Sequence, residues 1–246
     1  MLTRNLALLL IVASALSLSG CLLTRVYAFK EQFCDYQQNF RLQVADGISL
    51  QMRNPVLYDA DVIWLLGAQP TRQTSDGDRK EMVFVVEKDI EVSDPGYAIP
   101  LRLVFTRQGG RYRLSEGIID MNLGTVITPG LIEETVAHTC DSETSVLARN
   151  VTVDLSDLDP ASIPRRSVIE QALGEPTRNI GVGPGPGHRV EYRYRLQGAG
   201  PEVEKTTVQL WFAADGETVD RIQFRYLRYE LDADFVRGVG IISIDL

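Results

Sequence analysis

The sequence repeats itself at a constant distance of 106 residues, from Val62 to Val168, and this repeat constrains the fold more than any other feature. Three short motifs occur twice in that register, and such a fixed period is typical of a duplicated structural unit. The matching motifs are Val62-Ile63 with Val168-Ile169, Pro70-Thr71-Arg72 with Pro176-Thr177-Arg178, and Cys34-Asp35 with Cys140-Asp141. We therefore predict two tandem units, the first in residues 21–125 and the second in residues 126–246.

Within each unit, the hydrophobic pattern predicts short helices that are followed by antiparallel strands. Apolar residues at helical spacing predict the helices, and period-two alternation between turn signals such as Asp215-Gly216 predicts the strands. The predicted helices cover residues 26–36, 59–66, 131–138 and 164–173. The predicted fold class is α+β, with two tandem units that each pack short helices on a small antiparallel β-sheet.

The N-terminal segment has the composition of a secretory signal. A basic start with Arg4 is followed by an apolar run over residues 6–18 and by the small residues Ser19-Gly20. The run is shorter than the roughly twenty apolar residues of a membrane-spanning helix. Residues 18–21, Leu-Ser-Gly-Cys, resemble the bacterial lipobox, which implies cleavage after residue 20 and lipid on Cys21. The alternatives are an uncleaved anchor and a signal that is cleaved without lipidation.

The net charge and the remaining cysteines indicate which partners and binding sites the protein can have. The formal net charge of −8 disfavours binding to nucleic acid, which needs clustered Lys and Arg. Cys34 and Cys140 are predicted to form a disulfide in an oxidising compartment, and two buried free thiols are the alternative. A zinc site would need four ligands, and the only histidines are His138 and His188. We expect neither a metal nor a cofactor.

A longer motif in the second unit resembles a known family. Val168 to Thr177 ends in Leu-Gly-x-Pro-Thr, and two strands with aromatic residues follow it, at residues 190–194 and 208–212. This order resembles the SmpA/OmlA (BamE-like) family of outer-membrane lipoproteins and is similar to the duplicated β-lactamase inhibitory protein fold. The family implies a partner in the β-barrel assembly machinery, and Leu22 after the lipobox implies an outer-membrane, periplasm-facing location. Family members have one such unit, whereas this chain has two.

No catalytic constellation is evident in the sequence. Neither histidine lies near a nucleophile motif such as Gly-x-Ser-x-Gly, and His188 is expected on the surface. The glycine-rich residues 181–187 lack the Gly-Lys-Ser/Thr ending of a phosphate loop, and their prolines cannot donate amide hydrogens. Core packing is the expectation for Trp64 and Trp211. We predict a protein that is not an enzyme.

A candidate partner surface combines tyrosines with arginines, two residue types that are enriched at protein contacts. Its residues are Tyr192, Arg193, Tyr194, Arg195, Tyr226 and Arg228. Strand alternation would place the tyrosines and the arginines of residues 192–195 on opposite faces, so an inward tyrosine face with a solvated arginine face is the alternative.

Two functions follow from these features. The first is an outer-membrane lipoprotein that acts through protein contacts, in barrel assembly or envelope maintenance. The second is an inhibitor or ligand-binding lipoprotein that uses the junction between the two units.

Overall fold

The strands that the structure describes form one continuous antiparallel sheet. The computed structural model describes Leu22, Val126 and residues 24–45, 47–89, 98–121, 143–145, 150–181, 188–198, 206–226 and 229–244. Its helices are α1 (residues 24–34), α2 (Tyr36–Asn39), α3 (Asp59–Leu66) and α4 (Arg166–Leu173). Its strands are β1 (Phe40–Val44), β2 (Ile48–Met52), β3 (Arg72–Asp76), β4 (Arg79–Lys88), β5 (Ala98–Gln108), β6 (Arg111–Ile119), β7 (Glu143–Ser145), β8 (Asn150–Asp154), β9 (Arg178–Ile180), β10 (Arg189–Leu196), β11 (Thr206–Phe212), β12 (Val219–Tyr226), β13 (Tyr229–Asp234) and β14 (Val239–Ile244).

The strand order separates the two halves of the chain. It runs β1-β2-β6-β5-β4-β10-β11-β12-β13-β14-β8-β7, with β3 added to β4 and β9 added to β10. Strands β1 to β6 thus form one end of the sheet and β7 to β14 form the other. The two ends are joined where β4 pairs with β10, with Val86 opposite Leu196 and Lys88 opposite Tyr194.

The predicted α+β fold with two separate units is wrong, because the described strands belong to a single 14-stranded sheet. Open strand edges carry unpaired backbone donors and acceptors that readily pair with another strand. Here the open edges of β4 and β10 pair with each other. The contact between Glu87 and Gln197 at this junction joins residues that are 110 positions apart in the sequence. The division into residues 21–125 and 126–246 stays a prediction, since its boundary adjoins residues outside the described part of the chain.

Several local predictions are confirmed. Helices α1, α3 and α4 lie close to three of the predicted helices, and Gly67 ends α3 with a positive φ of 60°. The Asp215-Gly216 turn joins β11 to β12, with φ of 73° at Gly216. The Asp215 carboxylate accepts hydrogen bonds from the Thr218 hydroxyl and from the backbone N–H groups of Thr218 and Glu217, and these bonds lower the Asp215 pKa to about 2. The predicted helix over residues 131–138 lies outside the described residues.

The helices cover one face of the sheet, which we call the inner face. In the first half, Val62 of α3 packs in a cluster with the fully buried Phe84 and Phe105. In the second half, Ile169 of α4 packs in a cluster with Val190 and other buried residues of β10 and β11. Because Val86 contacts both clusters, the core is continuous across the junction.

Polar contacts on the inner face also join the halves. The Tyr226 hydroxyl donates to the Leu66 carbonyl at 2.6 Å, and burial raises the Tyr226 pKa to about 12. Lys88 Nζ donates to the Leu173 carbonyl at the end of α4, at 3.0 Å. These bonds satisfy helix-end carbonyls that have no partner within their own helix.

Candidate functional site

The face opposite the helices, which we call the outer face, is polar in the second half of the sheet. Strands β10 to β13 place their outward side chains in three rows that run across the strands, and we call these rows the polar ladder. The rows are Arg189–Trp211–Arg221–Asp234, Glu191–Gln209–Gln223–Asp232 and Arg193–Thr207–Arg225–Glu230. Eleven of the twelve side chains are charged or polar, and the twelfth is the aromatic side chain of Trp211.

Strand alternation creates this face. Successive side chains of a strand point to opposite sides of the sheet, and the inward residues of β10 are Val190, Tyr192, Tyr194 and Leu196. The tyrosine rings are almost fully buried, with exposures of 0% for Tyr192 and 4% for Tyr194. Their arginine neighbours in the sequence therefore face outward.

The predicted partner surface is corrected by this arrangement. Tyr192 and Tyr194 belong to the core and cannot contact a partner, and burial raises the pKa of Tyr192 above its ordinary range. Tyr226 is half-buried against α3, whereas Arg193 and Arg195 lie on the outer face. Arg228 lies outside the described residues. Of the predicted surface, Arg193 and Arg195 therefore lie on the outer face, whereas Tyr192 and Tyr194 do not.

The centre of the polar ladder is a hydrogen-bonded network. Glu191 is only 5% exposed, and its carboxylate accepts from Arg193 Nε at 2.6 Å and from Gln209 Nε2 at 2.7 Å. On the next strands, Glu230 accepts from Gln223 Nε2 at 2.6 Å and from Arg225 Nη2 at 3.0 Å. A buried carboxylate is stable only when it is paired and hydrogen-bonded in this way.

Trp211 lies between two guanidinium groups at one end of the polar ladder. The Cζ atoms of Arg189 and Arg221 are 5.4 Å and 5.0 Å from the Trp211 ring centroid, within cation–π range. Arg221 also pairs with Asp232, whose hydrogen bonds raise the Arg221 pKa above its ordinary value. Sequence reasoning missed this cluster, although Thr207, Gln209 and Trp211 alternate with the buried Leu210 and Phe212 and so share the outward positions.

The expectation of core packing is wrong for Trp64 and incomplete for Trp211. Trp64 is 46% exposed on α3, and Trp211 is half-buried on the outer face. Both residues have apolar sequence neighbours, and such neighbours do not reveal which way a side chain points until the element and its register are known.

The arginines form the outermost layer of the polar ladder. In the pair Arg225–Glu230 the side-chain exposures are 59% and 24%, and in Arg193–Glu191 they are 27% and 7%. Arg221–Asp232 and Arg195–Glu87 show the same order. The carboxylates therefore lie beneath the guanidinium groups and orient them, while the guanidinium groups meet the solvent.

His188 is largely buried beside Arg166 and Phe212. It is 9% exposed, which corrects the expectation of a surface position, and its Nε2 lies 3.0 Å from Arg166 Nη1 of α4. Its ring also lies 5.9 Å from the buried Phe212 ring. No serine or cysteine nucleophile is among the described contacts of His188. His138 and residues 182–187 lie outside the described part of the chain.

Cys34 at the end of α1 is disulfide-bonded. Cys21 and Cys140 lie outside the described residues, so the Cys34–Cys140 pairing and the lipidation of Cys21 stay predictions. The described residues hold no group of three or more His, Cys, Asp or Glu side chains that could bind a metal ion. In the same part of the chain, no helix has the length and apolar character of a membrane span.

The junction between the halves does not form an open cleft among the described residues. Strand pairing closes it, Leu196 is 4% exposed in the core, and on the outer face Arg195 Nη2 lies 3.7 Å from Glu87 Oε2. Gln197 donates to the same Glu87 carboxylate. A ligand site at the junction is therefore not supported by these residues.

No protein-family model, no curated protein and no solved structure matches the chain. The resemblance to the SmpA/OmlA family accordingly rests on the motif at residues 168–177 and its neighbouring strands, and remains an expectation.

Proposed function

We propose that the protein is a lipid-anchored, non-enzymatic protein of the bacterial outer membrane that binds a protein partner through the polar ladder. The observation that carries this proposal is Trp211, which lies on the outer face between Arg189 and Arg221. Tryptophan and arginine are the residues most enriched among those that dominate the energy of protein interfaces. A role in barrel assembly or envelope maintenance rests on the family resemblance.

The fixed positions of the arginines favour binding by a protein. Immobilising a flexible side chain at an interface costs about 0.5–1.5 kcal/mol, and a side chain that is already held in place avoids much of that cost. Arg193 and Arg225 are each held by a less exposed carboxylate. Because the polar ladder carries four arginines and four carboxylates, the face suits the mixed polar surface of a protein better than a uniformly charged polymer.

Site-specific crosslinking in intact cells tests the partner surface. A photoreactive amino acid at Gln209, in the middle of the polar ladder, is compared with one at Thr74, an exposed outer-face residue of β3. We expect a discrete protein adduct from position 209 only, reduced at least tenfold by Trp211→Ala. An identical adduct from position 74, or one that Trp211→Ala leaves unchanged, would contradict the proposal.

Membrane fractionation tests the anchor separately. Because the acyl chains on Cys21 would supply the membrane affinity, Cys21→Ala should release the protein into the soluble periplasmic fraction. Ser17→Ala is the matched control, since it changes the signal segment but leaves residues 18–21 intact. Membrane retention of a Cys21→Ala protein from which the N-terminal segment has been cleaved would exclude lipid anchoring through this residue.

A further inference from the structure

A cleft of about 240 Å³ opens in the polar ladder where β10, β11 and β12 adjoin. The cleft is lined by Glu191, Arg193, Thr207, Gln209, Gln223 and Arg225. Thr207 lies opposite Arg193 on one neighbouring strand and opposite Arg225 on the other. The short threonine side chain leaves space between the two longer arginines. Since adjacent strands are about 4.8 Å apart, the Cα atoms of the two arginines are about 10 Å apart on the same face.

Both guanidinium groups retain hydrogen-bonding capacity beyond their internal ion pairs. Each guanidinium carries five N–H donors, of which Arg193 directs Nε to Glu191 and Arg225 directs Nη2 to Glu230. The amides of Gln209 and Gln223 bind the same two carboxylates from the lining of the cleft. The two cationic groups are thus held on either side of a polar space.

We propose that this cleft is a carboxylate-binding site, which accepts an aspartate or glutamate side chain of the partner between Arg193 and Arg225. The assignment of the carboxylate to a partner rests on the proposed function. Planar guanidinium groups bind carboxylates through paired, charge-assisted hydrogen bonds, and this geometry is the basis of recognition here.

The charges around the cleft favour a single carboxylate from a polypeptide over a membrane surface. Arg193 and Arg225 carry two positive charges, and Glu191 and Glu230 carry two negative charges, so the four groups sum to zero. A densely anionic membrane would gain little attraction from such a cluster. Glu191 also lines the cleft, but both of its oxygens are engaged, Oε1 by Arg193 and Oε2 by Gln209. A single planar carboxylate that binds between the outward guanidinium groups therefore brings only one added negative charge near Glu191, whereas a membrane surface would bring many.

Titration with two isosteric peptides tests the site without any cellular partner. The purified protein in mild detergent is titrated with acetyl-Gly-Gly-Glu-Gly-Gly-amide and with the same peptide carrying Gln, while the arginine Nε–Hε resonances are followed by NMR. We expect saturable binding of the Glu peptide and at least tenfold weaker binding of the Gln peptide. Equal binding of the two peptides, or no binding of either, would overturn the proposal.

Variants locate the binding on the protein. Arg225→Gln removes an exposed guanidinium and should weaken binding of the Glu peptide at least tenfold. Arg72→Gln makes the same charge change on β3, where the arginine is 69% exposed, and should change the affinity by less than twofold. Thr207→Glu places a carboxylate inside the cleft and should abolish binding, which decides the question if Arg225→Gln fails to fold. Equal losses in the Arg72 and Arg225 variants would show nonspecific charge attraction and refute the site.

Two further arms identify the anion and separate this proposal from the proposed function. If inorganic phosphate binds more tightly than the Glu peptide with the same dependence on Arg225, the assignment to a carboxylate is wrong. A positive peptide titration together with failed crosslinking at position 209 would reject the partner surface and keep the cleft. The opposite combination would reject the cleft alone.

Discussion

The outer faces of the two halves of the sheet differ, although their inner faces are built in the same way. In the first half, aliphatic residues interrupt the outer face at Val83 and Val104, which are 8% and 4% exposed. Glu116 accepts there from Ser49 at 2.6 Å and from Gln51 at 3.4 Å. In the second half, strands β10 to β13 carry the polar ladder with its outward arginines, and Trp211 is its one aromatic residue.

This difference separates what stabilises the protein from what it offers to a partner. Both inner faces bury aromatic and aliphatic side chains beneath helices, because that burial is the main favourable term in folding. The outer faces are not covered by helices and need not be apolar, so their side chains can differ widely between the halves. In the second half, the outer face carries Trp211 and a layer of arginines.

The largest expected effect tests whether the two halves unfold together. Phe84→Ala and Phe212→Ala each empty a buried site, at 0% and 1% exposure, and should each lower the free energy of unfolding by about 3–5 kcal/mol. Trp64 and Trp211, one in each half, report unfolding by fluorescence in single-tryptophan backgrounds. Because the sheet and core are continuous, both reporters should shift together in denaturant.

The control for this comparison is Val236→Ala, at a position that is 73% exposed, which should change stability by less than about 0.5 kcal/mol. If Phe212→Ala shifted the unfolding transition reported by Trp211 and left the one reported by Trp64 unchanged, the halves would be independent units. Such a result would support the division near residue 125 and weaken the case for a cooperative sheet.

A smaller effect compares the central carboxylates of the two outer faces. Glu191→Ala removes the shared acceptor of Arg193 and Gln209 and should destabilise the protein by about 2 kcal/mol, because the site is almost fully buried. Glu116→Ala removes the acceptor of Ser49 and Gln51 at a half-buried position, where water can replace it. We expect a loss of about 1 kcal/mol or less there. Equal losses by chemical denaturation would contradict a more specialised second half.

The smallest effect concerns the hydroxyl contact between the halves. Tyr226→Phe removes the hydrogen bond to the Leu66 carbonyl and should cost about 1 kcal/mol at neutral pH. The folded pKa of about 12 lies above the ordinary value of 10.0, so the contribution of Tyr226 is complete below pH 10 and is lost as the pH rises to about 12. The stability gap between wild type and variant should therefore narrow over that range. A gap that stays constant from pH 8 to 12 would exclude this role.

Local patterns predicted much of the secondary structure and only part of the site. Helix α3 with Gly67, helix α4 and the Asp215-Gly216 turn followed from residues within a few positions of one another. The arginines of β10 were also identified. The burial of Tyr192 and the position of Trp211 were not, because the alternating pattern gives two sets of side chains without saying which set faces the helices.

The sequence by itself determined the short helices, the strands and their turns, because hydrophobic periodicity and glycine conformations act over a few neighbouring residues. The signal peptide and lipobox are also predicted from the sequence alone, and both stay predictions. Only the tertiary structure decided that β4 pairs with β10, so that two predicted sheets become one. It also decided which side of that sheet the helices cover, and thereby which arginines meet the solvent. The first decision depends on contacts between residues about 110 positions apart, such as Glu87 and Gln197. The second depends on the packing of helices on strands, such as Val62 with Phe84 and Ile169 with Val190. Neither kind of contact is contained in a local sequence pattern.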